Sequence, residues 1–417
     1  MHHSFLFVIA ICLTCCLKAQ RNLKKYVIRN AVSIETVDPD STNYADLEAI
    51  GAAIGNRTIV MLGEQDHGDA PTFIAKTRLI KYLHEKKGFN VLAFESDFFG
   101  LNYGIENVPR DKNAIDTFLK KNIYPIWTEC NTCSELFYKY IPSTYASAKR
   151  LRVSGFDNQL SLSYSREHLT AKLDSLLKSL DLAITKQPGY NSAVLPAIDS
   201  SLKLYWVKSK GDAHHARVDK YLKQIKSEVE EKLSKDDFWT MVVDNLIQEN
   251  LEYYLQEKDY MQASNVRDLQ MANNLKWIVN SKYPSEKIIV WAANAHVAKY
   301  ADTSSSDSNK KWIRMGSYFT NDTSLLKKVY IIGFTSNEGQ AGRLGWTVFK
   351  IRKPKANGFE NWIHKSFNYA YVDFRGFNGP SEQFYMKGLG HNTFFKWDWT
   401  QVFDGIFYIK QMYPCAR

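Results

Sequence analysis

Thr58-Ile59-Val60-Met61-Leu62-Gly63-Glu64-Gln65-Asp66-His67-Gly68 is the stretch that decides the fold. Ile59 to Leu62 is an apolar run with the length and composition of a strand buried on both faces. Gly63 and Gly68 flank a turn. Beyond Pro71, residues Ala75, Leu79, Tyr82 and Leu83 recur at helical spacing over 72–86, with Gly88 past the end. Val91-Leu92-Ala93-Phe94 repeats the strand pattern and ends on Glu95. Strand, helix and strand with short turns predict a parallel βαβ unit. Glu64, His67 and Glu95 then fall at the carboxyl edge of one sheet, with the two acids on neighbouring strands. Open α/β sheets place their chemistry at that edge.

Further strands are read at 151–157, ending on Asp157, and at 287–292, leading into Asn294-Ala295-His296. Others are read at 328–334, at 345–349 and, as a last short one, at 403–407. Residues 160 to about 282 carry helical patterns rich in Lys and Glu, broken near Gln187-Pro188-Gly189 and Ser209-Lys210-Gly211. The expected fold is α/β: a central, mainly parallel sheet flanked by helices. The segment at about 160–282 is expected as a large helical insertion over the carboxyl edge, placed to act as a lid.

The first twenty residues differ from the rest. Phe5 to Leu13 is an apolar run too short to span a bilayer, followed by Lys18-Ala19-Gln20. It reads as a secretory signal peptide, leaving 21–417 as the mature chain. Cys16 offers a lipidation alternative, so the expected location is periplasmic or secreted, with a lipoprotein as the variant. No later segment has the sequence of a membrane span. In an oxidising compartment, Cys130-Asn131-Thr132-Cys133 suits a local disulfide. The formal charge of +10 over 417 residues is spread as short Lys pairs such as Lys24-Lys25 and Lys120-Lys121. Such pairs read as solvated faces, and no nucleic-acid partner is expected. A hydrophobic fraction of 45% supports a sizeable packed core.

Glu64, His67, Glu95 and His296 each follow an apolar strand, with Asp157 as a fifth polar group. Taken singly, such a Glu is commonly a cap, and such a His a satisfied structural group. Two acids and two imidazoles at equivalent strand ends are the stronger observation. A Glu and a His held together can share a proton, orient a water or hold a metal. There is no G-x-S-x-G elbow, no P-loop, and no G-x-G-x-x-G opening a helix after a strand. His84-Glu85 lacks the second His of H-E-x-x-H, and His214-His215 lies in a charged helical stretch. Serine-hydrolase and zincin mechanisms therefore have no motif behind them.

These residues resemble the erythromycin esterase family. The resemblance rests on Gly63-Glu64, His67-Gly68, Arg78-Leu79, Gly88-Phe89-Asn90 and Ala93-Phe94-Glu95. It continues through Gly155-Phe156-Asp157, Arg267-Asp268 with Met271-Ala272, Asn294-Ala295-His296, Met315-Gly316 and the 333–342 region. It implies a hydrolase that opens a macrolide lactone without a serine nucleophile or a required metal. His67 would be the general base on water, Glu64 and Glu95 would orient it, and His296 would polarise the carbonyl or protonate the leaving alcohol. Lys76, Asp157 and Asn294 would bind substrate or give electrostatic support. Two departures stand out. Ala293 replaces the first His of the family's His-Asn-x-His, and Lys76 replaces an Arg, keeping the charge but losing the planar fork. The expected substrate is a small-molecule ester or lactone, with no cofactor. Two alternatives remain open. One is a divalent metal held by Glu64, His67, Glu95 and His296. The other is a non-catalytic envelope binding protein.

Overall fold

The computed structural model describes residues 22–202, 211–299 and 312–417. The expected signal peptide and Cys16 lie outside these residues. Among the described residues eleven strands are formed: β1 (Val32–Ile34), β2 (Ile59–Leu62), β3 (Phe89–Asp97), β4 (Arg152–Asp157), β5 (Lys287–Trp291), β6 (Val329–Ala341), β7 (Phe349–Lys350), β8 (Tyr369–Asp373), β9 (Phe384–Met386), β10 (Phe395–Trp397) and β11 (Gly405–Met412). The main sheet has the order β1-β8-β11-β6-β2-β5-β3-β4, with β7 paired to β6. From β11 to β4 all neighbours are parallel, while β8 and β1 add an antiparallel edge. Strands β9 and β10 form a separate hairpin.

The central strands are buried on both faces, as their unbroken apolar runs require. Alternate residues feed two cores. Val60, Leu62, Leu92, Phe94, Ile289 and Trp291 pack on one face with Phe73, Leu79 and Leu83. Ile59, Met61, Val91, Ala93, Ile288 and Val290 pack on the other with Met271 and Leu275. Helix α1 (Ala70–Lys87) follows the Glu64–His67 turn and carries Pro71 in its first turn. It ends at Gly88, whose φ of 73° lies in the left-handed region open to glycine, with the basic residues His84, Lys86 and Lys87 facing its carbonyl end.

Between β4 and β5 the described residues are mainly helical and include α2 (Ser163–Ser179), α3 (Asp212–Glu230), α4 (Phe238–Gln256) and α5 (Tyr260–Trp277). Leu169, Leu173, Val218, Leu222, Val242 and Leu246 give this region its own core, closed against Phe98 and Phe99. Helix α5 also packs on the sheet through Met271 and Leu275. Among the described residues no helix is long and apolar enough to cross a membrane.

Three expectations change. Strands β2 and β3 are not neighbours, because β5 lies between them and pairs with both. The chain leaves β4 into the helices and returns to fill that central slot. The stretch 345–349 is not a strand. Only Phe349 and Lys350 pair with β6, and Trp346 stays 73% exposed. The disulfide is Cys130–Cys415, with a Cα–Cα separation of 5.6 Å, and Cys133 is a free, buried thiol. Cys415 reaches Cys130 because the tail after β11 runs back along the Gly68–Ala70 backbone.

Candidate active site

Register brings the site together. Leu62 pairs with Trp291, and Trp291 with Phe94, so the ends of β2, β5 and β3 lie level. The Asn294 amide donates to Glu64 O (2.7 Å), and the Ala293 amide donates to Glu95 Oε2 (2.9 Å). Close packing forces the glycines of the turn. A Cβ on Gly63 would meet Asn294 Oδ1 at 1.9 Å, and one on Gly68 would meet Gly342 O at 2.0 Å.

Glu64 is wholly buried and organises the first half of the site. His67 Nδ1 donates to its Oε1 (2.8 Å), as does the Trp127 indole (3.0 Å). Lys76 Nζ donates to Oε2 at 2.7 Å. A carboxylate can only accept, so His67 carries its proton on Nδ1 and keeps the Nε2 lone pair free. The Trp127 ring stands edge-on to the imidazole at 5.2 Å. Lys76 is wholly buried over the Trp291 ring at 3.9 Å. Burial pushes its ammonium down, while Glu64 and Glu95 pull it back. An isolated buried carboxylate would be costly, and Lys76 and Trp127 are what make Glu64 tolerable.

Glu95 and His296 form the second half. His296 Nδ1 lies 2.6 Å from Asp268 Oδ1, and its Nε2 lies 3.4 Å from Glu95 Oε1. Burial and the Arg267 guanidinium, whose Nη1 lies 3.4 Å from Nε2, work against the imidazolium, but Asp268 and Glu95 overcome them and raise the His296 pKa. Burial would raise Glu95. The charges of His296 and Arg267, that of His67 whenever its ring is protonated, and the Ala293 amide instead bring it down to about 2. Arg267 on α5 donates to both oxygens of Asp157 (3.1 and 2.6 Å) and to Glu95 Oε1 (3.2 Å). Asp268 is fixed in turn by the Trp312 indole and the Met315 amide.

The structure therefore brings Glu64, His67, Glu95, His296, Lys76 and Asp157 to one edge. Asn294 is there too, but not as a substrate contact. Its amide donates to Phe334 O and Gly388 O, its Oδ1 accepts from the Phe334 amide, and it is wholly buried. It holds the turn in place. Sequence reasoning gave no role to Trp127, Arg267 or Asp268. Arg267-Asp268 stood out only in the family resemblance, and Trp127 lies in a short Pro125–Thr128 helix with no periodic signal. The insertion reaches the site through α5, which supplies the Arg267–Asp268 wall.

A divalent ion is the alternative use of Glu64, His67, Glu95 and His296. Among the described residues no three His, Cys, Asp or Glu side chains are placed to hold one. Both Nδ1 atoms are already committed to carboxylates, and Lys76 and Arg267 neutralise the acids. A Ser–His–Asp array does exist: Ser336 Oγ lies 2.9 Å from His391 Nδ1, and His391 Nε2 lies 2.7 Å from Asp69 Oδ1. All three are buried, so the array braces the turn from behind and leaves Ser336 closed to substrate.

The sequence model of the erythromycin esterase family matches residues 84–412, which include Glu95, Arg267, Asp268 and His296. The chain is 26% identical over 326 residues to a Bacillus subtilis (strain 168) protein named "Putative hydrolase YbfO", spanning 73% of this chain and 70% of that one. It is 23% identical over 420 residues to erythromycin esterase type II of Escherichia coli, spanning 89% and 94%. Its fold matches a solved mutant of the erythromycin esterase EreC in its open conformation, with a TM-score of 0.69 at 18% identity over 93% of this chain and 98% of that one.

Proposed function

The chain belongs to the erythromycin esterase family, and from that premise we propose that it is an exported hydrolase in which His67 activates water against a carboxylic ester or lactone. The observation carrying this reading is a pair of imidazoles at one sheet edge in opposite electrostatic settings. His67 rests on a carboxylate that Lys76 has already neutralised. His296 faces two carboxylates that favour its cation. An imidazole with Nε2 open to water beside one held protonated divides the roles of base and acid.

His67 Nε2 accepts a proton from water as the oxygen attacks the carbonyl carbon. Glu64 holds the ring's tautomer and steadies the imidazolium that forms. Negative charge developing on the carbonyl oxygen is stabilised by the His296 cation and the Arg267 guanidinium beside it. As the tetrahedral intermediate collapses, His296 Nε2–H protonates the departing alkoxide, leaving an acid and an alcohol. His67 returns its proton to solvent, and solvent reprotonates His296. No serine is needed in this scheme, in keeping with the sealed Ser336. Export is supported by the apolar run at Phe5–Leu13 and by the Cys130–Cys415 bond, which belongs to an oxidising compartment. Lipidation at Cys16 is the anchored variant of the same reading.

Ala293 puts a methyl group where the erythromycin esterases resembled here carry an imidazole, beside the Glu95 carboxylate. The proposed substrate is therefore a carboxylic ester or lactone as a class, and not a macrolide in particular. The test is a hydrolysis screen of esters, lactones and macrolides with the mature protein, with and without chelator, against His67→Ala. We expect activity indifferent to chelation and reduced roughly 10²–10⁴-fold in the variant. Unchanged turnover by His67→Ala would overturn the assignment.

A further inference from the structure

The Cys130–Cys415 disulfide joins the two segments that fix the His67 turn from opposite sides. On one side, the five residues after β11 run antiparallel to the turn. The Cys415 amide donates to Gly68 O (2.8 Å), the Ala70 amide donates to Tyr413 O (3.2 Å), and Asp69 forms a bridge with Pro414. On the other side, the short helix ending at Thr128 carries Trp127, whose indole holds Glu64 Oε1 and whose ring edge meets His67. Cys130 closes that segment, its amide donating to Trp127 O (3.1 Å). The Asn131 amide donates to Ala416 O (2.9 Å), so tail and Trp127 segment also meet through backbone beside the sulfurs.

Of this tail only Cys415 packs against the core. Tyr413, Ala416 and Arg417 are exposed. Its grip on the buried Gly68–Ala70 backbone consists of two hydrogen bonds, with modest net worth each. The covalent link, 285 residues apart in sequence, makes that grip permanent. The rest of the turn has other braces: Arg343 Nε donates to Asp66 Oδ1 (2.5 Å), and His391 meets Asp69. Neither of these reaches Glu64 or the indole that holds it.

We propose that Cys130 and Cys415 are positioning residues of the hydrolytic centre: their disulfide clamps the C-terminal tail and the Trp127 segment around the Glu64–His67 turn, and its reduction loosens the turn without unfolding the protein. This rests on the assignment of His67 as base for its effect on rate, but not for its effect on structure. Small displacements of a positioned base are costly, on the order of 10²-fold for 1 Å.

The test compares the oxidised mature protein, the same protein under a phosphine reductant, and Cys415→Ser. Peptide mapping first verifies the 130–415 bond. Hydrogen exchange is then read at peptides covering 62–78 and 124–133, with α3 as the remote reference. We expect exchange at the first two to rise roughly tenfold or more on reduction, while α3 is unchanged. On 4-nitrophenyl acetate, kcat should fall roughly 10–100-fold with KM nearly constant, because geometry rather than binding is lost. Uniform loss of protection would reduce the bond to a general staple and overturn the proposal. So would unchanged exchange at 62–78, unchanged kcat in an active enzyme, or a different pairing of Cys130. If the oxidised protein turns over no ester, the exchange comparison still decides the clamp, and only the hydrolytic reading falls.

Discussion

Lys76 Nζ lies 2.7 Å from Glu64 Oε2, and neither side chain is reached by solvent. The pair is the electrostatic floor of the site, since Glu64 orients His67 only while its own charge is compensated. Lys76→Met would leave that carboxylate buried and unpaired. Breaking one partner of such a pair costs about 3–5 kcal/mol. Urea unfolding at neutral pH should show a loss of that order, and Lys76→Met/Glu64→Gln should recover most of it, giving a strong coupling in the double-mutant cycle. Additive losses would show that the two charges are compensated elsewhere.

Trp127 gives Glu64 its third hydrogen bond and gives His67 an aromatic neighbour. Trp127→Phe keeps a ring and deletes the indole donor. A hydrogen bond to a charged group contributes about 1.5–3 kcal/mol, so kcat should fall on the order of tenfold or more, with little change in KM. Equal loss of binding and turnover would place Trp127 in the substrate pocket instead.

How much of this was legible follows from the kind of signal each residue leaves. Strands β2, β3 and β5 read from sequence because a strand buried on both faces must be apolar throughout. Glu64, Glu95 and His296 follow for the same reason, since a polar group marks where the apolar run stops, although β3 itself continues, still buried, to Asp97. The order β2-β5-β3 left no such mark, because a returning strand pairs wherever helices and edges allow. Cys130 shows the limit of spacing arguments. Cys133 is three residues away, yet the bond forms with Cys415. Burial pushes the Cys133 thiol well up, as suits a packed side chain rather than a redox partner. Trp127 stayed silent since one aromatic in a turn has no period. Lys76 was visible only as a departure from a family pattern, and its meaning required seeing Trp291 beneath it.

Stability should peak in mildly acidic solution. Glu95 is held down at about 2 against an ordinary 4.5, so its contribution is present above 4.5 and lost as pH falls toward 2. Other buried acids act in the opposite sense. Burial raises Asp97 to about 6 and Glu252 to about 7, and drives Glu249 well up. Each binds its proton more tightly folded than unfolded, so folding loses free energy as pH rises from about 4 through 6 to 7. His296, also raised, adds a loss above its unfolded value of about 6.5. Urea midpoints should therefore be higher at pH 5 than at pH 8. The reverse order would mean that these acids ionise without cost.

Asp268 sets the alkaline limit of catalysis if His296 is the acid. Its Oδ1 lies 2.6 Å from His296 Nδ1 and is one of two carboxylates keeping that imidazole protonated. Activity then persists up to the raised His296 pKa and is lost as pH climbs through it. Asp268→Asn keeps the size of the side chain and removes its charge. Loss of an adjacent opposite charge moves a pKa by roughly one to three units, here downward. The alkaline limb of kcat should shift to lower pH in Asp268→Asn. The profile should also lose its alkaline limb in His296→Asn, at a rate reduced roughly 10²–10⁴-fold throughout. An alkaline limb that survives in His296→Asn, or that Asp268→Asn does not move, would assign the proton donated to the leaving group to another residue.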